Sequence, residues 1–188
     1  MTRIQNSKLQ SRSTPNKDPL SSSETNTDFV QLDPTQRSVK KLTDKGEYTR
    51  ALDLLSDHTT DTELLNSRGV CLLRLGKFAA AISPLRMAAL NLGTMQVHQH
   101  IGTHIKVNFA IALFFGGFPA GGLSTLSEFE HADDDPGVTM LRKQARLWEQ
   151  RMNLLQRLFW KLSLEPSVEP LPPEYPVGQF VWDVKVTK

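Results

Sequence analysis

Residues Leu64 to Leu90 read LLNSRGVCLLRLGKFAAAISPLRMAAL, and this stretch decides the fold. Apolar side chains at Leu65, Leu72, Phe78, Ile82, Leu85 and Ala88 recur at helical spacing on either side of Gly76. Two amphipathic helices joined at that glycine are the expected result. Gly69 and Ala81 place small residues where two antiparallel helices must approach closely. Thr60 and Glu63 have capping-box spacing and predict the start of the first helix. Pro84 falls inside the second helix, where its ring predicts a kink. The stretch reads as a helical hairpin with one apolar seam.

The same order of residue types returns on both sides. Upstream, VKKLTDKGEYTRALDLL places Val39, Leu42, Gly46, Tyr48 and Ala51 at the same relative positions, with Asp33 as N-cap and Pro34 as first helical residue. Downstream, VNFAIALFFGGFPAGGLSTL puts Ala110, Leu113, Gly117 and Gly122 in register, although Pro119 and the paired glycines weaken its second helix. The order Gly69, Leu72, Gly76, Phe78, Ala81, Ala88 resembles the tetratricopeptide repeat. It departs from that family at Leu65, where the family has Trp, and after Leu90, where its Pro is missing. The resemblance spans residues 33–134. It implies an all-α, right-handed array of about three helical hairpins, the number at which such arrays become stable.

Three further regions flank the hairpins. Residues 1–32 hold few large apolar side chains among many Ser, Thr, Asn and Gln, a composition expected to stay disordered. Over 135–163 the chain predicts one long capping helix, with Asp135 as N-cap and Pro136 in first position. Leu141, Ala145, Trp148, Met152, Leu155, Phe159 and Leu162 form its continuous apolar stripe. That stripe is expected to cover the end of the array, and a self-associating helix is the competing reading. Residues 164–188 combine a Pro-rich linker with a strand-like alternation of Phe180, Trp182, Val184 and Val186. A lone strand has no sheet to join, so Phe180 and Trp182 are expected to fold back onto the protein's own groove or capping helix.

In the tetratricopeptide family the first helices of the hairpins line a groove, and the resemblance carries that role to specific positions here. They are Gln36, Lys40 and Thr43 in the first hairpin, Asn66, Val70, Leu73 and Arg74 in the second, and Val107, Ile111 and Phe114 in the third. The groove so assigned grades from polar to apolar. Val70 and Ile111 stand where members that grip a chaperone's terminal carboxylate need Asn, Lys or Arg, which disfavours that ligand. An apolar peptide or helix is the expected partner.

The remaining chemistry is sparse. His100 and His104 are spaced as i and i+4 but have no third ligand nearby, so no metal is expected. Cys71 sits in the packed seam with no base beside it, and GGFPAGG lacks the Lys-Ser/Thr of a phosphate loop. No catalytic set and no cofactor are expected. The net charge of +2 is too small to argue for nucleic acid on its own. A single cysteine and the absence of a long apolar run point to a cytoplasmic protein. The basic face of Arg142, Lys143, Arg146, Arg151, Arg157 and Lys161 reads first as a solvated surface of the capping helix. Membrane or nucleic acid binding through that face ranks below a protein partner.

Overall fold

Asp33 accepts a hydrogen bond from the Gln36 N–H at 2.8 Å while the Gln36 carboxamide oxygen accepts from the Asp33 N–H at 3.1 Å. This reciprocal cap starts α1 (Pro34–Thr43). The computed structural model describes residues 32–55, 59–91, 96–97, 101–127, 135–162, 168–173 and 176–184. Seven more helices follow: α2 (Tyr48–Leu54), α3 (Thr62–Arg74), α4 (Phe78–Ala89), α5 (Thr103–Phe115), α6 (Pro119–Ser127), α7 (Pro136–Arg151) and α8 (Leu154–Lys161). The fold of the described residues is all-α. Its only other regular pieces are a two-residue antiparallel ladder, Leu90–Asn91 against Gln96–Val97, and a 3-10 turn at Val181–Asp183. The expected disordered arm over 1–32 lies outside the described residues apart from Leu32, as do His100 and Val186.

Three hairpins close with one and the same turn. Gly46, Gly76 and Gly117 adopt φ of +74°, +70° and +101°, a left-handed conformation that glycine enters without a Cβ penalty. The residue after each glycine then donates back to the helix it has left: Glu47 to Leu42 O at 3.0 Å, Lys77 to Leu72 O and Phe118 to Leu113 O at 2.9 Å. These bonds satisfy carbonyls that a helix end leaves orphaned. From α1 to α6 successive helices pack on their chain neighbours, α3 touches both α1 and α5, and α7 packs on α5. Small residues set the closeness of that packing. A Cβ at Gly69 would lie 2.3 Å from Leu85 Cγ, and one at Gly122 would lie 2.8 Å from Ala110 O and Phe114 N. Pro119 and the glycines beside it leave α6 helical, with Pro119 at its first position where the missing N–H costs nothing.

Three sequence expectations need correction here. Asp61, not Thr60, caps α3, its carboxylate accepting from Leu64 N–H at 2.8 Å. A carboxylate accepts a backbone N–H more strongly than a hydroxyl does, which favours Asp61 as the cap. The helix expected over 135–163 is two helices. Met152 is extended (φ −71°, ψ 136°), and Asn153 and Gln156 form a second reciprocal cap that starts α8. The Arg157 guanidinium, 3.3 Å from both Glu149 O and Gln150 O, satisfies carbonyls at the end of α7 and holds the elbow. The third concerns the tail: residues 176–184 form no strand, but an extended run ending in the 3-10 turn, in which the Asp183 carboxylate accepts from Phe180 N–H.

The main core runs through α3, α4, α5 and α7, with Leu85, Ala110, Phe114, Leu141 and Trp148 almost fully buried. Phe114 and Trp148 meet edge to face at 5.7 Å, joining α5 to α7. A smaller cluster unites Val39 of α1, Ala51 of α2, Val70 and Cys71 of α3, and Phe180 of the tail. No helix among the described residues is long and apolar enough to cross a membrane.

Candidate peptide-binding groove

The face where α3 and α5 stand together is set by the register of the hairpins, and it presents Asn66, Val70 and Arg74 beside Val107, Asn108 and Ile111. Across it runs residues 176–180 of the chain's own tail. The Asn108 carboxamide reads both backbone groups of one tail residue: its Nδ2 donates to Gln179 O at 2.8 Å, and its Oδ1 accepts from Gln179 N–H at 2.9 Å. Asn66 fixes that carboxamide in place, its Oδ1 accepting from Asn108 Nδ2 at 2.8 Å while its own Nδ2 reaches Gln179 O at 3.4 Å. Both asparagines are fully buried, where an unmet amide would be costly. Two turns along α3 from Asn66, Arg74 Nη2 donates to Gly178 O at 2.8 Å.

Apolar seats flank this polar clamp. Gly178 adopts φ +92°, and a Cβ there would meet Leu73 Cδ1 at 3.1 Å and Val70 Cγ1 at 3.2 Å. Conformation and space therefore both favour glycine at this point. Phe180 enters the cluster of α1, α2 and α3 and stacks face to face on the half-buried Trp182 ring, centroids 4.7 Å apart. On the other side Val177 is buried, and a cleft of about 260 Å³ is walled by Val107, Ile111 and Met140 next to Pro176 and Val177.

The groove residues assigned by resemblance divide into three sets. Asn66, Val70, Leu73, Arg74, Val107 and Ile111 meet around the tail. Phe114 does not; it lies beneath Trp148 of α7. Gln36 is engaged in the α1 cap, Lys40 pairs with Asp44 at 2.7 Å, and the Thr43 hydroxyl donates to Lys40 O. Asn108 is the residue that sequence reasoning missed. Its signal was its place within α5, one residue past Val107 and three before Ile111, both already assigned to the groove.

Other candidate residues take structural roles. His104 Nε2 lies 3.3 Å from Glu63 Oε2, tying α5 to α3. Burial pushes the Cys71 thiol up to about 12, with nearby Arg74 acting weakly in the opposite sense, so the thiolate that reactivity requires is suppressed. The basic residues are dispersed. Arg142, Lys143 and Arg146 line one shallow surface of α7, Arg151 reaches Glu169 O at 3.3 Å, Arg157 braces the elbow, and Lys161 lies exposed on α8. Next to Arg151, Trp148 Nε1 donates to Val168 O at 2.6 Å, so α7 also holds the Pro-rich linker. No protein-family model, no curated protein and no solved structure matches this chain.

Proposed function

We propose that this chain is a non-catalytic interaction module of tetratricopeptide-like helical hairpins, whose groove grips an extended peptide and is filled in cis by the tail. Two supports come from the fold: the glycine turn repeated at Gly46, Gly76 and Gly117, and the side-by-side placement of the first helices. The observation that carries the proposal is the two-point pairing of Asn108 with the Gln179 backbone. Such pairing reads an extended main chain whatever its side chain, while seats on either side select residues by size and shape. Here the flanking selection is glycine at the Leu73 and Val70 wall and an aromatic ring in the cluster of α1 to α3. A ligand competing in trans then carries Gly, any residue, and an aromatic ring in succession.

The test removes the tail after Tyr175 and titrates the truncated chain with a synthetic peptide of residues 176–188. The expected result is saturable binding to the truncated chain, at least about ten-fold weaker binding to the full chain, and loss on Asn108→Ala. A truncated chain that keeps its helical signal and its cooperative melt but ignores the peptide contradicts the proposal.

A further inference from the structure

We infer that α8 is a docking helix for the surface of an anionic lipid bilayer. Leu154, Leu155, Leu158, Phe159 and Leu162 are all exposed, Leu154 at 85% and Leu162 at 62%. At 3.6 residues per turn these five occupy one arc of roughly 140°. Trp160, on the far side of the helix, packs edge to face on Trp148 with centroids 5.1 Å apart. The helix is therefore attached by its back, with its apolar arc turned outward. Among the described residues, other large exposed apolar side chains, such as Leu54, Phe118 and Leu171, lie on different elements.

Charge decides among the occupants such a face could take. Arg157 and Lys161 follow Leu154 by three and seven residues, which puts them along one border of the arc. α8 itself carries these two cations and no acid. A second copy of the chain would bring the same cations toward these, an arrangement that like-charge repulsion opposes. Nucleic acid would answer the cations and leave the leucines in water. An anionic bilayer answers both, because apolar side chains enter the acyl boundary while Lys and Arg meet the headgroups. The Arg157 contacts to Glu149 O and Gln150 O keep the elbow bent, so the arc faces away from α7.

The experiment is co-sedimentation of the full chain with vesicles of phosphatidylcholine alone or with added phosphatidylserine, at low and high salt. The expected result is sedimentation with the anionic vesicles only, weakened by salt, and reduced about ten-fold or more by Leu154→Glu/Leu158→Glu. Lys161→Glu should weaken it as well, while Leu54→Glu on α2 leaves it unchanged. Leu162→Glu is a milder second variant should the double one misfold. Failure of the full chain to sediment at low salt overturns the inference, as does sedimentation that both leucine variants leave intact. A vesicle-inert chain whose leucine variants abolish a dimer assigns the arc to a second copy, and one that holds an oligonucleotide instead assigns the cations to nucleic acid; each overturns the inference too.

Discussion

α7 ends buried and α8 ends bare. Leu141 and Trp148 are almost inaccessible to water, while Leu154 and Leu158 a few residues on are largely exposed, although both helices are amphipathic and equally basic in character. What separates them is the backbone between. Gly137 lets the start of α7 lie against Val107 of α5, and the helix then delivers Leu141 and Trp148 into the core one and three turns later. At Met152 the chain leaves helical geometry, Asn153 begins a new helix, and the apolar arc leaves the core. A side chain's fate here follows from the direction its helix is launched in, and hydrophobicity alone does not determine it.

Four substitutions probe that contrast, each read as a change in unfolding free energy from urea titration. Trp148→Ala removes a ring packed on Phe114 and Trp160 together with the Val168 hydrogen bond, and should cost about 3–5 kcal/mol. Gly137→Ala forces a Cβ to within 2.6 Å of Val107 Cγ1, with an expected cost of about 1–3 kcal/mol as α7 is pushed off α5. Asn153→Ala removes the cap of α8 and should cost about 1 kcal/mol, with a loss of helical ellipticity confined to a few residues. Leu158→Ala should change stability by no more than about 0.5 kcal/mol. If Leu158→Ala proves as costly as Trp148→Ala, the two helices are not different in kind and α8 is covered in solution.

The hairpins were legible because their signals are local. Gly46, Gly76 and Gly117 each mark a turn that only a few residues determine, and the caps at Asp33 and Asp135 need no distant partner. The elbow at Asn153 was harder to see, since an unbroken stripe of apolar spacing runs through it. The Asn153 and Gln156 spacing is itself a capping signal, yet it competes with the periodicity that suggested one helix. The site was legible in part. Asn66, Val70, Leu73 and Arg74 were assigned by register with the resembled repeat, whereas Asn108 earns its role from a partner 71 residues away. The left-handed backbone at Gly178 was equally out of reach, because it answers to the wall formed by Val70 and Leu73.

That separation has a consequence in time. Asn66, Arg74 and Asn108 are all made before the tail, and Gln179 follows Asn108 by 71 residues. At a synthesis rate of about 5–20 residues per second, roughly 4–14 s pass between the two. During that interval the growing chain carries both asparagines and the arginine but has not yet made the segment around Gln179 that lies across them. Under the proposed function, a peptide competing after release would have to displace a tail held at effectively high local concentration, which during that interval has not been made.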